Sequence, residues 1–473
     1  PWCLWAASRS PILITVPLPV TIRADLRFDP SLVPAEALGA LSMALRVTDP
    51  MDPTSPAIVL ARKDSNGMAV IPRGFAHHLV KGLGAFGIDI QWIDQRVQVP
   101  MQEVITPTPG YALRSYQEKP YAQMLRVQQG IYEAPTGSGK TITTAFFLAA
   151  ARQRALIIVD KMNLVVQWQD RIREATGYVC GTIGDGQWAE RDITITTRQS
   201  LWARHDELDA QDWWSRWGAV VFDEAHGVSA ETVRELLQRF PAWYRIGLSA
   251  TPDREDWLTI ASRAILGEIF HRTTEEELEA AGVLVRPKVV AVRTPFEFPW
   301  KSRLDPRIQW TQLIKALRSD TARNHAIGKK MGDLRGHAVL VDTDQVGHAH
   351  ELRAYALSYG WPDDRVFLFT GQQKTAERVE IMKLADEGDI MIISTIGKEA
   401  LDIPRLDRFL ITWPTKQDTR TKQMIGRVRR MHDEKSAPEI IDFWDHKVSI
   451  LNNQFTKRRG TYARAKMELT VED

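Results

Sequence analysis

The sequence predicts an α/β protein made of two tandem parallel-sheet domains behind a small mixed α+β domain. Three observations lead there. Apolar runs of four or five residues alternate with helix-forming stretches from about Tyr111 to Phe443, the pattern of strands buried on both faces. The runs stop at polar residues, as parallel sheets keep functional groups at the carboxyl ends of their strands. Finally, Ala134-Pro135-Thr136-Gly137-Ser138-Gly139-Lys140-Thr141 joins one such run to a helix through a glycine-rich turn. At 473 residues, 44% of them hydrophobic and 25% charged, the chain has material for two to four domains.

Taken in order, residues 1–10 read as a disordered or processing remnant. Residues 11–101 read as the α+β domain. Ile12–Val16 and Val20–Phe28 are strand candidates, and Pro34–Arg46 is a helix opened by proline. Ala57–Ala61 and Met68–Ile71 are short strands around an Asn66-Gly67 turn, Arg73–Phe86 is a helix, and Ile88–Trp92 is a last strand. The His77-His78 pair has no Cys or carboxylate at ligand spacing and reads as a surface or packing feature. Gln102–Gly110, with Pro107 and Pro109, reads as a linker.

Residues 102–297 read as the first parallel-sheet domain. A helix from Leu113-Arg114-Ser115-Tyr116-Gln117 to about Val127 precedes a strand at Gly130–Glu133, the glycine-rich turn and a helix from Ile142 to Ala151. Strands follow at Ala155–Val159, Asp192–Thr196, Ala219–Phe222 and Ile246–Leu248, and a helix at Glu275–Leu284 leads to Val289–Val292. The second sheet, residues 298–473, is expected from strands at Ala338–Val341, Val366–Phe369, Ile390–Ser394, Phe409–Thr412 and Glu439–Phe443, with helices at Gly347–Tyr359 and Thr375–Glu387. It repeats the layout without a phosphate loop.

The polar strand ends suggest the chemistry. Amides of the glycine-rich turn and the helix N-terminus that follows form a nest for a diphosphate. In it Lys140 would reach the terminal phosphates and Thr141 would ligate magnesium. Asp223 at the end of Val220-Val221-Phe222 is placed to hold that magnesium through its water shell, and Glu224 to orient and deprotonate the attacking water. His226 would relay the nucleotide state. In Leu113-Arg114-Ser115-Tyr116-Gln117, with Arg114 beside it, Gln117 could recognise adenine, since a carboxamide donates and accepts at once. On a helix, Gln423, Arg427 and Arg430 fall three or four apart and face one way, so the two arginines could neutralise charge on a transferred phosphoryl group.

These runs, in this order, resemble motifs I, II, III and VI of the superfamily 2 helicases and translocases: Ala134–Thr141, Asp223-Glu224-Ala225-His226, Ser249-Ala250-Thr251 and Gln423–Arg430. Asn163–Trp168 resembles motif Ia, Thr196–Leu201 the strand-gripping motif after it, and Ile393–Asp402 motif V. Arg254-Glu255-Asp256 is similar to the Arg-Glu-Asp element of XPB-like enzymes. The nearest resemblance is to the group holding the XPB repair helicases, the phage UvsW branch-migration helicases and restriction motors. It implies two RecA-like domains, ATP and Mg2+ as cofactors, DNA as partner and 3'-5' movement. It implies DNA contacts from Asn163, Gln167, Thr197, Arg198, Arg254 and Thr395, coupling by Ser249 and Thr251, and a place for Asp402 at the nucleotide. The chain departs from the pattern at Ala134, which stands for the first glycine of the loop, and at Ala400, where motif V usually has glycine.

The expected activity is therefore an ATP-dependent helicase acting on branched or forked DNA. A double-stranded DNA translocase of a restriction or defence complex, an RNA helicase and a nucleotide-driven switch are the alternatives. A net charge of +2 and a pI near 8.5 require that any basic surface be local. Cys3 and Cys180 cannot make a zinc site or a disulfide framework and suit a reducing, cytoplasmic setting, and a monomer is expected. Pro1–Val20 carries Pro11, Pro17 and Pro19 and no basic start, which argues against a signal peptide, and no run is long and charge-free enough to span a membrane. A chain beginning near Gln102 is expected to keep every hydrolytic residue and to lose only the preference for branched DNA.

Overall fold

In the computed structural model the described residues are 16–49, 57–225, 231–250, 258–299, 306–371, 373, 375–387, 389–395, 403, 405–414, 425, 428–429, 435 and 437–472. The chain divides into two compact units, Pro1–Thr274 and Glu275–Asp473.

The first unit opens with a five-stranded sheet. Its strands are β1 (Leu18–Ile22), β2 (Asp25–Phe28), β5 (Arg62–Lys63), β6 (Ala69–Pro72) and β7 (Ile90–Asp94), in the order β5-β6-β2-β1-β7. Between them β3 (Arg46–Val47) pairs with β4 (Ile58–Val59). The single strand expected over Val20–Phe28 is a hairpin, because the chain turns at Arg23-Ala24 so that Leu26 can face Ile22. Helices 35–44 and 76–84 cover one face, and Leu18, Val20, Leu26, Phe28, Leu41, Ile71, Leu79 and Leu83 form its core.

That core does not end with the accessory sheet. It takes in Ala261 and Ala264 from helix 258–266, which belongs to the nucleotide-type domain. Gly74 lies so close to the end of this helix that a Cβ there would sit 2.5 Å from the carbonyls of Arg263 and Ala264. Two buried arginines stitch the same boundary. Arg73 donates to Gln129 Oε1 (2.6 Å) and to the carbonyls of Ala242 (2.7 Å) and Arg23 (3.1 Å). Arg245 donates to the carbonyls of Ala24 (2.8 Å), Phe240 (2.7 Å) and Ile265 (3.2 Å). Burial pushes both guanidinium pKa values down, Arg245 to about 10. His78 adds a bond to Glu268 at 2.8 Å, so this histidine is a packing contact across the seam.

The linker expected at Gln102–Gly110 is a laid-down segment. Upstream of it, Val97 exchanges backbone bonds with Pro241 and Trp243, and Met101 donates to Arg152. Gln102 and Glu103 then both donate to Asp192 Oδ2 at 2.8 Å, Ile105 is buried in the core, and Thr108 donates to Ala175. Proline-rich chain is extended and poor in donors, but an extended chain can still place its remaining amides along a sheet edge. The boundary drawn at 101/102 therefore separates two sheets but not two independent bodies.

The larger sheet of this unit comprises β8 (Gln129–Glu133), β9 (Ala155–Val159), β10 (Gly181–Gly184), β11 (Gln187–Ala189), β12 (Ile193–Thr197), β13 (Ala219–Phe222), β14 (Tyr244–Ser249) and β15 (Ile269–Arg272). The order is β11-β10-β12-β9-β13-β14-β8-β15; all pairings are parallel except that of the edge strand β11. Strand β9, Ala-Leu-Ile-Ile-Val, is buried throughout, as a two-sided strand must be. Strands β10, β11 and β15 were not legible in the sequence. They are short and rich in glycine or polar residues.

Among its described residues the second unit holds seven strands, β16 (Lys288–Arg293), β17 (Ala338–Asp342), β18 (Val366–Phe369), β19 (Ile390–Ser394), β20 (Arg408–Ile411), β21 (Glu439–Trp444) and β22 (Leu469–Glu472). All are parallel, in the order β18-β19-β17-β20-β21-β16-β22. Strand β16 was assigned to the first domain, with a boundary at 297/298. It pairs with β21 and β22, so the boundary lies at Thr274/Glu275. The cause is an arginine. Arg429, 2% exposed, bonds Glu275 Oε2 at 2.5 Å and Glu279 Oε1 at 2.6 Å, holding helix 275–280 in the second unit. Helices 306–319, 321–332 and 449–464 also went unread. The last is clamped by Arg458 and Tyr462, which both bond the fully buried Asp442.

Candidate active site

Three adjacent strand ends of the first unit build the site. β8 runs into the loop 134–139 and then helix 140–151, while β14 beside it ends at Ser249, whose carbonyl accepts from Ala134 N at 3.0 Å. Next to β14, β13 ends at Asp223. The turn needs its glycines: Gly137 has φ +90° and Gly139 φ +75°, where a side chain would strain the backbone. A Cβ on Gly139 would also lie 2.5 Å from Gln117 Nε2. Pro135 and Ser138 are buried, whereas Thr136, Gly137, Gly139, Lys140 and Thr141 are half-buried at the rim. Lys140 Nζ donates to the carbonyls of Ala134 (2.6 Å) and Pro135 (3.3 Å), so the ammonium lies over the loop.

One polar atom tests whether a phosphate-type ligand fits. Ser138 Oγ is fully buried in the loop and has no hydrogen-bond partner among the described residues. A buried hydroxyl left alone costs about 1–3 kcal/mol. Beside it are the amides of the turn and the N-terminus of a 12-residue helix, donors that match a polyanion.

Gln117 is in a different state from the one expected. Its Oε1 accepts from Arg114 N (2.9 Å), capping helix 115–127, and its Nε2 donates to the carbonyls of Ser138 (3.3 Å) and Gly139 (3.2 Å). Tyr116 Oη donates to the same Ser138 carbonyl at 3.0 Å. Both side chains thus brace the loop from behind, while Arg114 is exposed at the helix start. The part of Tyr116 went unread.

The acidic pair carries strain and an altered proton affinity. Glu224 has φ +55°, a left-handed conformation costing a non-glycine residue about 1–3 kcal/mol and found mostly at functional sites. The turn it makes lets Glu224 N donate to Asp223 Oδ1 at 3.0 Å, while Trp168 Nε1 donates to Asp223 Oδ2 at 2.9 Å. Burial and the neighbouring Glu224 carboxylate push the Asp223 carboxyl up to about 6, against the pull of the Trp168 bond and the Lys140 ammonium. Asp223 and Thr141 are the groups here that could hold a hard cation, most of whose shell would be water. Among the described residues there is no cluster of three or more His, Cys, Asp or Glu side chains able to bind a metal.

The sign of that shift makes a prediction. A carboxyl whose folded pKa is raised adds stability at low pH, and that stability is lost as pH rises through about 6. Asp223→Asn should therefore melt above the parent at pH 8, by about 1–3 kcal/mol for a shift of this size. The gap should shrink by about half at pH 5 and close below about pH 4. Coincident melting curves across that range would show that Asp223 carries no such penalty.

Around the site, Thr197 caps helix 198–202, its Oγ1 accepting from Ser200 N at 3.1 Å, and Arg198 pairs with Asp160 at 2.7 Å. On helix 162–176 Asn163 is exposed and Gln167 is half-buried. In the second unit, Thr395 N donates to Phe369 O at 3.1 Å at the end of β19. His226, Thr251, Arg254, Ala400, Asp402, Gln423, Arg427 and Arg430 lie outside the described residues, as does the strand candidate at 12–15.

Comparison with known proteins places this geometry. Residues 110–254 match the family described as "Type III restriction enzyme, res subunit", and residues 326–432 match "Helicase conserved C-terminal domain". The chain is 24% identical over 364 residues to the "DNA 3'-5' translocase XPB2" of Sulfurisphaera tokodaii, covering 68% of this chain and 80% of that protein. It is 34% identical over 312 residues to the "Putative DNA 3'-5' helicase Rad25" of Haloarcula marismortui, covering 63% of this chain but only 47% of the relative. The fold matches a solved fragment of a putative HsdR subunit of a type I restriction enzyme from Vibrio vulnificus. That match has a TM-score of 0.54 at 20% identity and covers 72% of this chain and 66% of the other. The loop, the acid pair and the two sheets together with these matches identify the chain as a member of the superfamily 2 helicases and translocases, ATP-hydrolysing motors, in the group that joins XPB-like DNA helicases to restriction-enzyme motor subunits.

Proposed function

We propose that the protein is an ATP-dependent 3'-5' DNA helicase or translocase that works on branched or forked DNA, in repair, recombination or fork remodelling. The observation that carries this reading is the meeting of Lys140, Ser249 and the Asp223-Glu224 pair at three neighbouring strand ends, in a chain whose relatives are named as DNA 3'-5' translocases and helicases. Thr141 and Asp223 would hold magnesium, largely through water, and the ion would supply charge neutralisation at the phosphates. Lys140 leaves its carbonyl partners for the phosphates, and Glu224 takes the proton of the attacking water. The roles proposed for Arg427 and Arg430 are to neutralise charge on the transferred phosphoryl group, those for Gln423 and His226 to report the nucleotide state, and that for Asp402 to act at the nucleotide. Ser249 and Thr251 couple hydrolysis to motion.

DNA is gripped by its backbone through Asn163, Gln167, Arg198, Arg254 and Thr395, while Thr197 acts through the cap it gives to helix 198–202. Such contacts are electrostatic and blind to sequence. Affinity should fall at least about tenfold between 50 and 200 mM salt, and vary less than that among random sequences at one salt. A spread above tenfold at fixed salt would overturn the backbone reading.

The match to restriction-enzyme res subunits favours a second reading, a double-stranded DNA translocase serving a separate nuclease. A fork, a Holliday junction, a blunt duplex and an RNA hairpin, each offered as the stimulator of ATP turnover, test both. Preference for the fork or junction supports the first reading, and equal stimulation by blunt duplex supports the second. Stimulation by RNA alone sinks both.

A further inference from the structure

Helix 162–176 stands between the proposed strand-binding face and the acid pair. Asn163 and Gln167, four residues apart, share one side of it. Val165, Trp168, Ile172 and Ala175 are buried on the other, against the sheet. Trp168 is 2% exposed, and its indole N–H reaches Asp223 Oδ2 at 2.9 Å, across 55 residues of sequence. A buried indole usually finds an acceptor. This fold nonetheless leaves one alone: Trp217, fully buried in the same unit, has no partner for Nε1 among the described residues. The Trp168 bond is thus more than a general demand of burial.

It also has a specific geometric effect. With Glu224 N on Oδ1 and Trp168 Nε1 on Oδ2, each oxygen of Asp223 holds one donor, and the plane of the carboxylate is fixed from both sides. Glu224 N belongs to the next residue and moves with it. Trp168 is the donor that ties the carboxylate to a separate element. A helix of 15 residues moves as a rod, so displacement at Asn163 and Gln167 moves the indole too.

We propose that Trp168 is a positioning residue: it orients Asp223 for the magnesium-bearing nucleotide and transmits to it the occupancy of the DNA-facing side of helix 162–176. This rests on the nucleotide and DNA reading given above. Trp168→Phe keeps an aromatic ring in the core and removes only the donor. In Trp168→His the imidazole Nε2 superposes on the indole Nε1, so a smaller ring restores the N–H.

The test is a titration of Mg2+ against binding of a fluorescent ADP analogue, paired with ATP turnover with and without single-stranded DNA and with melting curves. Loss of an outer partner of a metal ligand typically weakens the site by about tenfold or more. Trp168→Phe should raise the Mg2+ needed for half-maximal binding by about that factor and cut the DNA stimulation ratio about fivefold or more, while melting near the parent. The His variant should melt lower than the Phe variant yet have a Mg2+ midpoint closer to the parent. An unchanged midpoint and ratio in a normally melting Phe variant would reduce Trp168 to packing. If the Phe variant does not fold, a His variant with a midpoint shifted about tenfold would also overturn the proposal. Failure of the underlying reading looks different: the parent itself would then bind the analogue without Mg2+ dependence, whatever stands at 168.

Discussion

Lys140→Ala should lose ATP turnover by about three orders of magnitude or more, the scale of removing a preorganised charge from a phosphoryl-transfer site. The ammonium bonds two carbonyls of its own loop, so its removal should leave the fold standing. Those carbonyls face the half-buried rim and can be solvated. Melting should therefore stay within a few degrees of the parent, and turnover within about tenfold of the parent would end the assignment of the loop. Glu224→Gln gives the complementary result, binding kept and turnover down by about two orders of magnitude or more, the range for a positioned base. Its backbone bond to Asp223 does not depend on the side chain.

The second large effect is on stability, and it reverses an expectation. From sequence, a chain starting at Gln102 should keep its ATPase and lose only the preference for branches. In the structure that cut removes the Ala24 carbonyl from Arg245, the Arg73 guanidinium from Gln129 and Ala242, and the apolar cover from Ala261 and Ala264. Losing a hydrogen bond made by a charged group costs about 1.5–3 kcal/mol before any apolar exposure is counted. Gln129 starts β8, which carries the phosphate loop, and Arg245 lies beside it on β14. The shortened chain should thus melt at least about 10 °C lower or aggregate, and bind nucleotide poorly when it stays soluble. Melting within about 2 °C of the parent would show the two sheets to be independent. A fair test of branch recognition then needs substitutions on the exposed side of the accessory sheet.

The hydrolytic loop was legible in the sequence because its chemistry is local. Gly137, Gly139, Lys140 and Thr141 act within one turn, and β9, β13 and β19 were read to the residue because a strand buried on both faces is a continuous apolar run. What escaped depended on partners far along the chain. Trp168 reads as a core residue until Asp223 is beside it, and Gln117 reads as a free carboxamide until the loop folds onto it. Strand β16 has no sequence mark that assigns it to the second sheet, since Glu275 and Glu279 meet Arg429 only in space. Proline at positions 107 and 109 signals extended chain, and nothing local distinguishes a loose extended segment from one laid along a sheet edge.

The seam between the accessory sheet and β8 has a thermodynamic corollary. The described residues between 16 and 274, which share buried arginines, a common core and the backbone bonds of Val97 and Met101, should open together, as one cooperative unit in hydrogen exchange. A ligand on the phosphate loop then stabilises the whole unit by mass action, by about 2.7 kcal/mol at a hundred times its dissociation constant. Amides of β1, β2 and β6 should become more protected when nucleotide binds, although none of those strands reaches it. By the same linkage, a cavity cut into the accessory core at Leu26 or Phe28 would lower the affinity for nucleotide wherever unfolding competes with binding.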